Sequence, residues 1–144
     1  ETIKKNNSEK LFTVIDKINH EQIFHAHNNT NIYVSLNRYG NLSNVNLEAV
    51  YFNNCMIIPE SNKTTGVDLE TDTIINKDSV IRIKLNNIDE NLSNMIIKLY
   101  NNPQKRMQIK ESLKNLSFKI IKSWDQRIED EIQIIKDKYE KTKL

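Results

Sequence analysis

The chain has little of several residue types that particular folds and functions require. Its 144 residues include two glycines, two prolines and one cysteine. With only Gly40 and Gly66, neither glycine-rich phosphate-binding motif, GxGxxG or GxxxxGK, can occur, and the nucleophile motif GxSxG is also absent. Cys55 alone can form neither an internal disulfide nor a thiolate zinc site. We therefore expect a non-enzymatic protein in a reducing, intracellular and cytoplasmic environment.

Long apolar runs and a strong net charge are missing too. No run of 18 apolar residues occurs, so we expect no transmembrane segment. Lysine and arginine total 21 against 19 aspartate and glutamate residues, a formal charge of +2. Such a balance favours neither nucleic acid nor anionic lipid as a partner of the whole chain.

From Leu11 to Tyr100 the apolar residues form short runs separated by asparagine-rich breaks, the pattern of strands and turns. The runs NIYVSLN and VIRIKL alternate apolar and polar side chains, as a strand with one buried face does. Further candidate strands are LFTVI, NLEAVYF, CMII, VDL with DTII, and MIIKLY. With six to eight short strands and no helical pattern between them, we predict a mostly β fold. Its first domain, residues 8–102, is expected to be an antiparallel β-sandwich.

The second domain, residues 103–144, differs in composition. Asparagine occurs 20 times in residues 1–102 and once afterwards, while helix formers become abundant. Apolar residues then recur every three or four positions, which predicts a C-terminal helical segment: Ile109, Leu113, Leu116, Ile120, Trp124, Ile128, Ile132, Ile135 and Tyr139. The alternative is a closing hairpin of LSFKIIKSW and EIQIIKDKY, giving an all-β sandwich. As a helix, this 109–139 stripe would pack on the sandwich, with Trp124 buried, or would contact a partner protein or a second copy.

Two groups of residues are candidate metal ligands. In HEQIFHAH, taken as an extended segment, His25 and His27 share a face and could hold a metal ion together. The carboxylates Glu48, Asp72 and Asp78 offer the hard oxygens that calcium requires, although loops would have to bring them together because Glu48 and Asp72 fall within candidate strands. No third or fourth ligand is evident for the histidines, so no cofactor is expected, with calcium as the one exception that the carboxylates allow.

Basic residues concentrate in residues 98–122. Lys105, Arg106, Lys110 and Lys114 are the candidates for weak contact with phosphate groups of anionic lipid or nucleic acid. Because an acidic stretch, DQRIEDEIQ, follows them and can neutralise them, a solvated helix face is the preferred explanation of these residues.

The order of segments resembles the tellurium-resistance (TerD-like) stress-protein family of β-sandwiches. The resemblance lies in NIYVSLNRYGNLSNVNLEAVYF and KDSVIRIKLNNIDENLSNMIIKLYNN, with the C-terminal segment in place of the family's closing hairpin. It implies calcium binding by loops that here carry Asn46, Glu48 and Asp78, a weakened version of the family's aspartates, and Asn37-Arg38 replaces its glycine-tryptophan pair.

Three functions follow from these patterns. The first is a non-enzymatic protein-interaction or scaffolding module that uses the 109–139 stripe. The second is a calcium-dependent, TerD-like binding domain that acts at membrane surfaces. The third is weak binding of anionic lipid or nucleic acid by residues 98–122.

Overall fold

A computed structural model describes residues 11–64 and 68–141, and helices alternate with strands along most of that length. The helices are α1 (His20–Asn28), α2 (Asn44–Tyr51), α3 (Leu69–Ile74), α4 (Ile88–Tyr100), α5 (Pro103–Ile120) and α6 (Trp124–Lys141). The strands are β1 (Ile32–Val34), β2 (Cys55–Pro59) and β3 (Ile81–Ile83).

The three strands form one parallel sheet in the order β1-β2-β3. Helix α2 connects β1 to β2 and helix α3 connects β2 to β3, so each connection is a helical crossover. The register pairs Tyr33 with Met56 and Ile58 with Arg82, which places Tyr33 and Arg82 on the same face. Tyr33 contacts Asn46 of α2 and Arg82 contacts Asp72 of α3, so both crossover helices lie over that face.

The predicted antiparallel β-sandwich over residues 8–102 is therefore wrong for the described part of that range. Three predicted strands are helices: NLEAVYF lies mostly in α2, DTII mostly in α3 and MIIKLY in α4, while LFTVI forms no strand. The predicted absence of helical crossovers is wrong for the same reason. A short apolar run does not by itself distinguish a strand from one buried turn of a helix.

Strand β2 shows why the alternation in NIYVSLN and VIRIKL did not reveal the type of sheet. All five of its residues, CMIIP, are buried, because helices or neighbouring segments cover both faces of the central parallel strand. Antiparallel sandwich strands show an apolar and a wet face, whereas central parallel strands are continuously apolar. CMII was thus the best sequence signal for a parallel sheet.

Local signals explain the helices that were missed. HEQIFHAH is helix α1, not an extended segment, and it begins with a capping box in which Asn19 and Gln22 each bind the other's backbone N–H. Helix α4 presents Ile88, Leu92, Met95 and Leu99 to the core, a spacing of four, three and four residues.

The described part of the C-terminal segment is mainly helical, as its periodicity predicts, but it forms two helices that differ in how far they bury the apolar stripe. Helix α5 buries Ile109, Leu113 and Leu116 in the core with β2, α2 and α4. No residue of helix α6 is buried, and the side chain of Trp124, expected in the core, is 70% exposed. No helix in the described ranges is both long and apolar enough to span a membrane.

Candidate ligand site at the carboxyl edge of the sheet

A cavity of about 410 Å³ opens where the three parallel strands end. Its wall is built from the segments that follow each strand: Asn37, Arg38, Gly40 and Asn41 after β1, Glu60 to Lys63 and Asp68 after β2, and Lys84 and Leu85 after β3. In open parallel α/β sheets, ligands bind in the crevice outside the carboxyl ends of the strands. The parallel topology therefore makes this edge the expected position of a ligand site.

Three cations line this cavity. Arg38, Lys63 and Lys84 are all exposed, and each comes from the loop after a different strand. None of the three forms an ion pair with a residue in the described ranges, where the acidic partners belong to other cations. Within the described ranges the cavity therefore offers three cations that have no ion-pair partner, although Glu60 and the buried Asp68 also belong to its wall.

The cavity wall also contains a buried carboxylate, that of Asp68. The Asp68 side chain is only 5% exposed and lies 3.5 Å from the guanidinium of Arg82 on β3. Its Oδ1 accepts the backbone N–H of Asn41 at 2.8 Å, and its oxygens also accept the Asn41 amide and the Thr71 hydroxyl. Arg82 in turn donates to the carbonyl of Pro59 at 3.1 Å and pairs with Asp72 at 2.8 Å.

The loop after β1 is held by buried amides. Gly40 has a φ of 145°, a conformation that residues with a side chain rarely adopt, and the chain then turns inward to the buried Asn41. The side-chain NH2 of Asn46 donates to the Asn41 carbonyl at 2.8 Å, while Asn46 Oδ1 accepts the Tyr33 hydroxyl at 2.7 Å. This network extends from β1 through α2 to the cavity wall.

His27 and Glu48 are two predicted metal ligands that the structure brings together. His27 is buried, its Nδ1 lies 2.7 Å from Asn54 Oδ1, and its Nε2 lies 4.0 Å from Glu48 Oε2. Because the Asn54 NH2 already donates to the His27 carbonyl at 2.9 Å, the Asn54 oxygen must accept, so His27 Nδ1 carries the proton. The ring also stacks on Phe52 with centroids 5.4 Å apart, a packing role that the sequence did not indicate.

Burial raises the pKa of the Tyr33 hydroxyl beside this pair. The charge of Glu48 raises that pKa further, and a hydrogen bond with the Ser35 side chain acts in the opposite direction. The hydroxyl therefore remains protonated, and able to donate to Asn46, to a higher pH than an exposed tyrosine.

The other predicted metal ligands lie apart. His25 is exposed on α1, Asp72 pairs with Arg82 on α3, and Asp78 lies in the turn before β3. Within the described ranges no group of three or more His, Cys, Asp or Glu side chains is arranged to hold a metal ion. Calcium binding stays a prediction for Glu48, Asp72 and Asp78.

The predicted phosphate contacts of the basic stretch lie on α5. Lys105 and Lys114 are exposed and Lys110 is half-buried, whereas Arg106 donates to the carbonyls of Leu99 and Tyr100 and so closes the end of α4. Arg106 thus has a structural contact that its sequence context did not reveal. Binding of lipid or nucleic acid by this stretch stays a prediction.

A larger cleft, about 700 Å³, lies between α2 and the junction of α5 and α6. The cations in its wall already have partners: Lys122 contacts Asp130 at 2.5 Å, and Arg127 lies 5.9 Å from the Trp124 ring centroid. We favour the smaller cavity as the site because its cations form no ion pair in the described part of the chain and because it lies at the carboxyl edge of the sheet.

Comparison with known proteins gives this site no family name, since no family model matches the chain, and no curated protein or solved structure matches it either. The β-sandwich implied by the TerD-like resemblance is contradicted by the parallel sheet. Membership of that family stays a prediction that these comparisons do not test.

The cavity residues were missed because the sheet was taken as antiparallel. A signal existed: each strand is followed closely by a basic residue, in YVSLNR, IIPESNK and RIK. Once the strands are parallel, these basic residues meet at one edge. In an antiparallel arrangement they would lie at opposite ends of the sheet.

Proposed function

We propose that this α/β unit binds a small metabolite that carries a phosphate or pyrophosphate group, in the cavity at the carboxyl edge of the sheet. The observation that supports the proposal is the convergence of Arg38, Lys63 and Lys84 from three strand ends on one cavity. Arginine and lysine are the side chains that bind phosphate oxygens, through charge-assisted hydrogen bonds.

The proposed role is binding rather than catalysis. The buried carboxylate of the cavity, Asp68, is already engaged by Asn41, Thr71 and Arg82. A general acid or base must reach the proton that it transfers, and Asp68 is occupied by these donors. The expectation of a non-enzymatic chain is thus part of the proposal.

Isothermal titration with pyrophosphate tests this site. We expect saturable binding that weakens steeply as salt is added, because salt screens the charge attraction. Lys84→Gln should weaken binding about tenfold, the value of one charge-assisted contact. Lys98→Gln is the matched control, because Lys98 is an exposed lysine on α4 outside the cavity wall.

Two results would count against the small-molecule site. One is the absence of pyrophosphate binding at low salt. The other is an equal loss of affinity in Lys84→Gln and Lys98→Gln, which would indicate attraction to the overall charge rather than to the cavity.

A second candidate function, protein interaction, is favoured by helix α6. The helix has 18 residues, none of them buried, and its apolar side chains recur every three or four positions. Residues 124–131 carry four carboxylates and one arginine, whereas residues 132–141 carry three lysines and two carboxylates. Two antiparallel copies would place the acidic half against the basic half, so a second copy of the chain is the partner that we propose.

Light scattering during size-exclusion chromatography tests this second function. We expect a dimer whose mass falls to that of the monomer in Ile135→Lys, because a charge on the apolar face opposes its burial. Glu140→Lys changes charge outside the apolar stripe and is the control. A monomer at all accessible concentrations would remove self-association.

A further inference from the structure

Asp68 has an unusual conformation for its position. It precedes helix α3 with a φ of 67°, in the left-handed region that side chains other than glycine enter at an energetic cost. An aspartate at a helix start normally accepts a hydrogen bond from the first turn of backbone N–H groups. The Asp68 side chain makes no such bond to a backbone N–H and instead accepts the side-chain hydroxyl of Thr71 in that first turn.

The contacts of Asp68 show what it does instead. Its carboxylate accepts from Asn41 in the loop after β1 and lies 3.5 Å from the Arg82 guanidinium on β3, while Asp68 itself follows β2. One buried side chain therefore connects the segments that follow β1 and β2 with strand β3. We call these contacts of Asp68 with Asn41 and Arg82 the Asp68 joint. The carbonyl of Pro59 at the end of β2 reinforces the joint, because it accepts from Asn41 at 3.2 Å and from Arg82 at 3.1 Å.

The joint bears directly on the cavity wall. Arg38 lies three residues before Asn41, and the intervening Gly40 turns the chain, so fixing Asn41 limits where the Arg38 backbone can lie. A second cavity, of about 520 Å³, shares Asn37, Gly40 and Asp68 with the first. Asp68 thus lines both openings on this edge.

We infer that Asp68 is a positioning residue of the phosphate site: through Asn41 and Arg82 it holds the loop after β1 in the geometry that binds the anion. The inference rests on the proposed function and identifies a wall residue that shapes the site by holding other groups rather than by binding the anion. A misplacement of about 1 Å in a binding group can change affinity or rate by large factors.

The loss of charge and the loss of positioning have opposite expected effects on anion affinity in the Asp68→Asn variant. Asp68→Asn removes a negative charge beside an anion site, and Coulomb attraction alone would then make anion binding tighter. Positioning predicts weaker binding, because an amide NH2 would face the donors of Asn41 and Arg82 and break the joint. Asp72→Asn removes the same charge next to Arg82 but does not touch Asn41, so it is the matched control.

The experiment titrates pyrophosphate into the full chain, the Asp68→Asn variant and the Asp72→Asn variant at several salt concentrations. Circular dichroism first establishes that each is folded at the working temperature. We expect Asp68→Asn to bind about tenfold more weakly, with an unchanged salt dependence because the three cations remain. Asp72→Asn should bind as tightly as the unsubstituted chain or more tightly.

If Asp68→Asn binds as tightly as the unsubstituted chain or more tightly, the positioning role is overturned while the phosphate site stands. If the unsubstituted chain does not bind pyrophosphate, the site and the inference fall together. If Asp68→Asn does not fold, Asn41→Ala removes the side-chain bonds of Asn41 to Asp68 and to the Pro59 carbonyl and so weakens the same joint from its other side. It should show the same loss of affinity, and unchanged binding in that folded variant would overturn the role.

Discussion

At the scale of single residues, the least expected feature is a set of three buried asparagines. Asn41, Asn46 and Asn54 are nearly inaccessible, and each bonds to backbone or side-chain groups of a neighbouring element. Asparagine abundance in the sequence indicates turns, and composition cannot show which few side chains are turned inward. The structure uses these three to satisfy the polar ends of short strands and helices.

The Tyr33 hydroxyl gives the first prediction at this scale. Tyr33→Phe removes the donor to Asn46 Oδ1, which is fully buried and has no other donor in the described ranges. A buried acceptor left without its partner costs about 1 to 3 kcal/mol, so we expect a loss of that size in denaturant unfolding. Tyr39→Phe is the control, because the Tyr39 side chain is 97% exposed. Equal stability of both variants would show that the Asn46 bond contributes nothing.

Cys55 gives a prediction of pH dependence. Burial raises the pKa of its thiol above the ordinary value of 9.0, and the nearby charges of Lys110, Arg106 and Lys105 only partly oppose this. The thiol of the unfolded chain then ionises at a lower pH than the thiol of the folded chain. The contribution of the buried thiol to the free energy of unfolding is therefore present below its ordinary pKa and is lost as the pH rises through the raised pKa of the folded state. We expect the stability difference between the unsubstituted chain and Cys55→Ala to narrow between about pH 7 and about pH 10. A constant difference would contradict the shifted pKa.

At the scale of elements, the sequence predicted helix correctly where the apolar period ran over many turns, and it failed at the shorter helices and at the 13-residue α4, whose last turns were read as the strand MIIKLY. The nine-position stripe from Ile109 to Tyr139 indicated helix, and helices α5 and α6 occupy it. Helix α2 has eight residues and α3 has six, too few turns for a helical period to stand out from strand alternation. The error at α2 and α3 removed both crossovers and with them the parallel sheet and the cavity at its edge.

The halves of the apolar stripe that lie in α5 and in α6 should differ in how much they contribute to stability. Leu113 of α5 is fully buried, so Leu113→Ala should cost about 2 to 5 kcal/mol of unfolding free energy. Ile135 of α6 belongs to the same sequence pattern but is 67% exposed, so Ile135→Ala should change stability by about 0.5 kcal/mol or less in the monomer. Chemical denaturation at low protein concentration measures both. A large loss for Ile135→Ala would show that α6 packs within its own chain.

At the scale of the whole molecule, the core does not include its last helix. The core joins β2, α2, α4 and α5, whereas α6 contributes no buried residue to it. Ser123 and Gln126 form a capping box at its start, with bonds of 3.0 and 3.2 Å, and Gln133 bonds to Asp137 at 2.7 Å within it. These contacts stabilise helix α6 itself and bury none of its side chains in the core.

A stop after Ser123 therefore should leave the rest of the chain folded. We expect the shortened chain to lose helical signal in circular dichroism in proportion to α6 and to keep a cooperative thermal transition near that of the full chain. A stop after Asn102 is the contrast, because it removes Ile109, Leu113 and Leu116 from the core and should abolish the transition. If the stop after Ser123 also abolishes it, the apolar face of α6 is covered by this chain itself, and a second copy is not needed to explain that face.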